Sequence, residues 1–190
     1  MPPEQPYFVI LAGPNGAGKT SAAVALLRVL HIDEYVNADV IAQGFSMLRA
    51  DTMAVTAGRL ALKRMRQLLD KQISFAFETT LASHTIARLI AQARSRDYRI
   101  ALIFLALASP ALAKARVARR VELGGHHVPE EIIERRFQRG LHNFFEHYWH
   151  QVDEWRFYDN SDGSELLAYY NGNVAILSAR FNDYEALVYE

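Results

Sequence analysis

"LAGPNGAGKTS", Leu11 to Ser21, is a glycine-rich turn closed by Lys19 and Thr20. It fits the pattern G-x-x-x-x-G-K-[ST] from Gly13 to Thr20. Before it, "YFVILAG" (Tyr7 to Gly13) is a continuous apolar run, which predicts a strand buried on both faces of a parallel sheet. After it, Lys19 to Leu30 places Ala22, Ala23, Leu26, Leu27 and Leu30 on one helical face. Lysine is scarce in this chain, and both flanks suit the loop, which argues against a chance glycine turn. Gly13, Gly16 and Gly18 let the backbone bend so that several N–H groups face one anion. Pro14, Asn15, Ala17 and Ser21 complete the cradle, and the helix N-terminus adds positive potential. Lys19 is expected to reach the β- and γ-phosphates of a bound nucleotide, and the Thr20 hydroxyl to ligate Mg²⁺.

The rest of the chain repeats strand, loop and helix. "YVNADVIA" (Tyr35 to Ala42) reads as a short second strand or a strand end. A helix follows from about Thr52 to Gln72, with Ala57, Leu60, Ala61, Met65, Leu68 and Leu69 as its apolar stripe. "ISFAFETT" (Ile73 to Thr80) and "YRIALIFLAL" (Tyr98 to Leu107) are strands. Ser83 is expected to cap the helix that buries Ile86, Leu89, Ile90 and Ala93. Ser109 and Pro110 start another helix, Gly124 and Gly125 break it, and Pro129, Glu130 and Glu131 open the next. The aromatic-rich "HNFFEHYWHQVDEW" (His142 to Trp155) predicts a core-facing helix. "EWRFYDNS", "ELLAYYNG" and "NVAILSAR" read as short strands joined by Asn/Gly/Asp turns. Alternating strands and helices imply a mostly parallel α/β sheet flanked by helices, with the site at the strand C-terminal ends.

A length of 190 residues suits one domain, 1–190, with a helical lid at about 114–140 and a β-rich tail at 155–190. The 21 basic and 21 acidic residues leave no global field for nucleic acid or an anionic membrane. There is no cysteine, which excludes disulfides and thiolate metal sites. "MPPEQPY" lacks a signal-peptide pattern, and "IALIFLALA" is too short to span a bilayer. The expected setting is the cytoplasm, with no membrane partner. No [NT]-K-x-D segment for guanine and no L-S-G-G-Q segment occurs. A compact kinase and a nucleotide-gated binding module remain.

Further residues carry the chemistry. Asp39 is expected near the end of the second strand, on the open side of the loop. There it suits proton acceptance from a substrate hydroxyl, or a metal-bound water, or capping of the helix after it. Glu78 closes an apolar strand, a costly place for a carboxylate without a role or solvent. It suits a substrate hydroxyl or a metal-bound water, and Thr79 and Thr80 add hydroxyls. Arg116, Arg119 and Arg120 share a helical face, and Arg135 and Arg136 lie on the following helix. Such arginines can close over a γ-phosphate, or pair in solvent with Glu122, Glu130, Glu131 and Glu134. His126 and His127 lie between the two helices and suit a substrate contact or a hinge. The loop ending "WRFYDNS" (Trp155 to Ser161) is a candidate neighbour of adenine, or simply a turn.

In this order, "GPNGAGKTS", "NADVIA", "FETTLAS", "RVARRVELGGHHVPEEIIERRF" and "WRFYDNS" resemble the zeta toxin family, over about Phe8 to Ser161. The resemblance implies a P-loop nucleoside triphosphate hydrolase fold of the kinase kind. It implies ATP, Mg²⁺, a small-molecule hydroxyl acceptor such as UDP-N-acetylglucosamine, and an antitoxin protein partner. Lys19 and Thr20 match the phosphate-loop pair, and Asp39 the catalytic aspartate. Glu78 and Thr80 match the substrate pair. Arg116, Arg120 and Arg136 match the lid arginines best, with Arg119 and Arg135 as alternatives. Zeta toxins are typically longer, and this chain shows a compact "GGHHVP" lid in place of sugar-nucleotide-binding insertions.

Overall fold

In the computed structural model, residues 5–45 and 50–189 are described. Five parallel strands form the centre of the sheet: β1 (Tyr7–Ala12), β2 (Glu34–Asn37), β3 (Phe75–Thr79), β4 (Arg99–Ala106) and β5 (Glu154–Asp159). Two antiparallel strands extend it, β6 (Glu165–Tyr170) and β7 (Ala175–Leu177), giving the order β2-β3-β1-β4-β5-β6-β7. The helices are α1 (Lys19–Val29), α2 (Ala38–Phe45), α3 (Ala50–Asp70), α4 (Thr85–Arg94), α5 (Pro110–Glu122), α6 (Glu130–Asn143) and α7 (Ala179–Ala186). No helix among the described residues is long and apolar enough to cross a membrane.

The central strands are apolar throughout because both sheet faces are covered. On one face Phe8, Ile10 and Ala12 of β1 pack in a core with Met65 and Leu68 of α3 and Leu89 and Ile90 of α4. On the other, Val9 and Leu11 share a core with Ala23 of α1, Val117 of α5 and Phe137 of α6. The aromatic stretch after α6 belongs to the first core. The helix widens to a π-turn over Phe144–Tyr148, which leaves Phe144, Phe145 and Tyr148 buried. Phe144 lies 5.1 Å from Phe157 of β5, ring centre to ring centre. These rings stabilise the fold by area burial and edge contacts rather than forming a binding box.

Several local expectations need correction. The long helix begins at Ala50 and ends at Asp70, and Leu60 in its stripe is 38% exposed. Ser83 does not cap α4: its hydroxyl donates to Thr85 Oγ1, and the cap position is His84. Ser109 does cap α5, accepting from the Leu112 amide. Pro129 is the residue before α6 rather than its first, held extended with ψ 140°. The tail is not all strand, because Ser178 caps the short helix α7.

Helix α6 is locked to the loop after β3. A Cβ at Gly140 would lie 2.3 Å from the Thr80 carbonyl oxygen, so the helix touches the loop backbone directly. Buried Asn143 donates to the Leu81 carbonyl at 2.8 Å, and Tyr148 donates to the Ser83 carbonyl at 2.8 Å. Leu81 takes a positive φ of 60° within that anchored loop. Gly140→Ala should therefore cost about 1–3 kcal/mol, as overpacking against backbone does. Gly58 in α3 meets open space, and Gly58→Ala should stabilise by about 0.5–1 kcal/mol through helix propensity. Denaturant unfolding of the two variants checks both signs. A neutral Gly140→Ala would mean that α6 and the loop separate freely.

Candidate active site

The loop from Gly13 to Gly18 joins β1 to α1 at the C-terminal edge of the parallel strands. Gly13 has φ 140°, and a Cβ there would fall 2.2 Å from the Leu105 carbonyl oxygen of β4. Only glycine lets β1 leave the sheet so close to its neighbour. Gly18, at φ 81°, precedes the first turn of α1, which starts at Lys19 with no side-chain cap. The amides of that turn are left for an anion.

Lys19 is buried, 6% exposed, and its Nζ donates to the Pro14 carbonyl across the loop at 2.9 Å. Burial pushes its pKa below the ordinary 10.5, and the charges of Glu78 and Asp39 oppose that shift. Arg120 and Arg136 act in the same sense as burial. The ammonium therefore stands among carboxylates and guanidiniums that face one space.

Glu78 is not a solvent-exposed strand end. One of its oxygens, Oε2, accepts from Thr20 Oγ1 at 2.9 Å, from Asn37 Nδ2 at 2.9 Å and from the Tyr35 hydroxyl. Its other oxygen lies 3.9 Å from Lys19 Nζ. Burial and the Glu78 carboxylate both push the Tyr35 hydroxyl pKa up, so Tyr35 stays a donor. Tyr35 and Asn37 reach the same partner because alternate residues of β2 share a face, and Asn37 lies in register with Glu78. The sequence reading missed both. The available signal was the i, i+2 pair of polar-tipped residues beside a strand that ends in glutamate.

Asp39 lies in the first turn of α2, beyond the end of β2. It is not the helix cap. The Asn37 side chain takes that role, its Oδ1 accepting from the Asp39 amide at 2.8 Å and the Val40 amide at 3.2 Å. Asp39 is thereby left exposed, with its side chain lining the cleft.

The cleft holds about 350 Å³ and brings the loop residues Asn15, Gly16, Gly18, Lys19, Thr20 and Ser21 together with Asp39, Glu78 and Thr80. Arg116, Arg120 and Arg136 line it, whereas Arg119 and Arg135 are exposed and do not. Each lining arginine is anchored differently. Arg116 donates to the Asn160 carbonyl at 2.8 Å, the Ser161 carbonyl at 2.6 Å and the Gly16 carbonyl at 3.5 Å. Arg120 donates to the His126 carbonyl at 2.8 Å, and Arg136 to Asn15 Oδ1 at 3.5 Å. The His126 side chain is not among those lining the cleft; its backbone meets Arg120 instead. Glu130 and Glu134 pair with Lys114, at 3.8 and 2.7 Å, rather than with these arginines. The loop after β5 joins the site too, because Asn160 Nδ2 donates to the Ala17 carbonyl at 2.7 Å. Asn160 and Ser161 are thus tied to both the phosphate loop and Arg116.

The donor set fits a triphosphate and a hard cation. Open amides, a buried ammonium and the guanidiniums of Arg120 and Arg136 line the space in front of the loop, while Arg116 is taken up by backbone carbonyls. Thr20 offers a hydroxyl with Glu78 beside it, which suits magnesium bound by one protein oxygen and by phosphate oxygens. No group of three His, Cys, Asp or Glu side chains among the described residues makes an all-protein cage.

The sheet order and the phosphate loop together define a P-loop kinase fold. A family model described as "Zeta toxin" matches residues 1–172. The chain belongs to the zeta toxin family. An uncharacterized protein of Haemophilus influenzae is 25% identical over 132 residues, 68% of this chain and 91% of that one. Among solved structures, a chain of the AvrRxo1-ORF1:AvrRxo1-ORF2 structure with sulphate ions superposes with TM-score 0.78 at 16% identity. That match covers 97% of this chain but 64% of the other, so the chain spans somewhat less than two thirds of that relative. A structure from the PezAT toxin–antitoxin system of Streptococcus pneumoniae gives TM-score 0.66 at 14% identity, covering 98% and 85%. At these identities the structural likeness shows the fold.

The lowered pKa of Lys19 has a measurable consequence. An anion in the loop favours the charged ammonium, so binding raises that pKa. As pH climbs through the lowered pKa of the free protein, below 10.5, Lys19 loses its proton. Affinity for a polyphosphate should then fall, and binding should take up protons in that window. Calorimetry in buffers of different ionisation enthalpy reads the uptake. Lys19→Arg does not titrate there and should lose the effect. Equal proton uptake in both proteins would place the titrating group elsewhere.

Proposed function

We propose that this chain transfers the γ-phosphate of ATP to a hydroxyl of a small acceptor. The observation that carries the proposal is the convergence of buried Lys19, Asp39 and three arginines on one cleft. Lys19 and the loop amides hold the transferring phosphate and its bridging oxygens. Mg²⁺, when bound at Thr20, supplies charge neutralisation to the phosphates. Glu78 orients the Thr20 hydroxyl. Asp39, exposed at the mouth, takes the proton of the acceptor hydroxyl as that oxygen bonds to the γ-phosphorus and ADP leaves. Arg120 and Arg136 stabilise the charge that spreads over the phosphoryl oxygens. Arg116 holds the loop after β5 against the phosphate loop. Thr80, anchored by α6, positions the acceptor.

A neighbouring fold solved with ATP supports the nucleotide. Family membership supports a sugar nucleotide such as UDP-N-acetylglucosamine as the first acceptor to test. A neighbouring structure described as belonging to a chromosomal toxin–antitoxin system supports a protein partner of the antitoxin kind. A need for ATP and Mg²⁺ suits the cytoplasm.

An acceptor screen with labelled ATP, run beside a control without acceptor, tests the proposal. Lys19→Ala should abolish ATP turnover; unchanged turnover would sink the whole scheme. Asp39→Asn should leave ATP affinity within about twofold while lowering transfer by ~10²-fold or more, the usual worth of a positioned base. A variant that transfers normally would remove Asp39 from the chemistry. Hydrolysis alone, with no acceptor labelled, would favour a nucleotide-gated module.

A further inference from the structure

The turn from β5 into β6 brings two carboxylates face to face. Asp159 ends β5, Glu165 begins β6, and the two are paired in register. Like charges directly opposite on neighbouring strands repel. They are not equally solvated: the Asp159 side chain is 5% exposed and the Glu165 side chain 60%. Asp159 therefore needs a cation from the protein itself. Arg180, in the first turn of α7, supplies it. Its Nη2 donates to Asp159 Oδ2 and its Nη1 to Glu165 Oε2.

Helix α7 is fixed where it stands. The Ser178 hydroxyl accepts from the Phe181 amide at 3.3 Å, and the Ser178 amide donates to the Leu167 carbonyl of β6 at 3.0 Å. Phe181 is buried and stacks on Trp155 of β5, ring centres 5.8 Å apart, and Tyr184 lies 5.3 Å from Phe157. The helix lies beyond residue 172, where the family match ends.

The other oxygen of Asp159 serves the loop after β5. Oδ1 accepts from the Ser161 amide at 2.9 Å. The Asn160 amide donates to the Ala106 carbonyl at 2.9 Å, and Ser161 Oγ accepts from the Ala108 amide at 2.8 Å. The turn so formed offers the Asn160 and Ser161 carbonyls to Arg116, and the Asn160 side chain to the Ala17 carbonyl of the phosphate loop. One chain of hydrogen bonds thus runs from α7 to the phosphate loop.

We infer that Arg180 is a positioning residue for the nucleotide: by neutralising Asp159 it sets the turn that holds Arg116 and the phosphate loop in place. The inference rests on the proposal that this loop binds ATP, and it gives Arg180 no contact with the nucleotide. Without the guanidinium, the buried carboxylate takes up a proton or moves toward water. Either change costs the Ser161 amide its charged acceptor.

ATP affinity with Mg²⁺ is measured by calorimetry, well below the unfolding midpoint of each variant. Arg180→Gln, at a side chain 52% exposed, should weaken binding at least about tenfold, and Arg180→Lys should restore part of it. Glu165→Gln leaves Asp159 its partner and should bind within about twofold of the wild type. Asp159→Asn removes the charge but keeps an acceptor for Ser161. Adding Arg180→Gln in that background should cost less than about twofold. Unchanged affinity in Arg180→Gln, or the same loss in both backgrounds, would overturn the inference. Hydrogen exchange of the ligand-free protein needs no nucleotide. Arg180→Gln should speed exchange of the Ala108, Asn160 and Ser161 amides at least about tenfold, and unchanged exchange would also overturn the inference. Faster exchange in a chain whose wild type binds no ATP would keep the link from α7 to the loop and remove the kinase proposal.

Discussion

A single carboxylate oxygen, Oε2 of Glu78, accepts from three side chains at once, and the site is organised around it. Thr20 comes from α1, Tyr35 and Asn37 come from β2, and Glu78 itself is the penultimate residue of β3. The phosphate loop, the strand before Asp39 and the strand before Thr80 are thus tied to one atom. The same group lies 3.9 Å from buried Lys19. Neither charge is well solvated, so each makes the other tolerable. Removing the glutamate would leave a buried ammonium and three donors without their acceptor, a larger loss than one hydrogen bond.

Around that centre the chain builds two anchored walls. On one side Arg116 and Asn160 bind the β5 loop to the phosphate loop, through backbone carbonyls on both. On the other, Gly140, Asn143 and Tyr148 fasten the Thr80 loop to α6. Arg136 stands one turn before Gly140 on that same helix. Two parts of the cleft wall, Arg136 and the Thr80 loop, therefore share one helix as support. In the proposed reaction, that packing would couple the place of the phosphate to the place of the acceptor.

The α/β architecture was legible because buried parallel strands are continuous apolar runs, as in "YRIALIFLAL", and because helices follow with clear periodicity. The glycine loop marks the cleft, and Asp39, Glu78 and Thr80, which line it, are readable from the sequence because they end or follow strands. Other features depend on tertiary geometry that spacing does not carry. Tyr35 and Asn37 matter only because β2 lies in register with β3. Asn37, the last residue of β2, caps α2, so Asp39 falls in the first turn of that helix and not at a strand end. Ser83 looked like a cap, but its loop is held by α6 contacts far away in sequence. Five arginines shared the right segment, and only the helix crossing decided which three face the cleft.

The central claim is that the phosphate leaves the loop for a hydroxyl other than that of water. The most direct measurement follows ADP and free inorganic phosphate together, with ATP, Mg²⁺ and a deproteinised small-molecule extract as the acceptor source. Transfer to an acceptor predicts ADP accumulating well ahead of free phosphate, with the missing phosphate bound in a new ester. Equal amounts of ADP and free phosphate at every time point would contradict it.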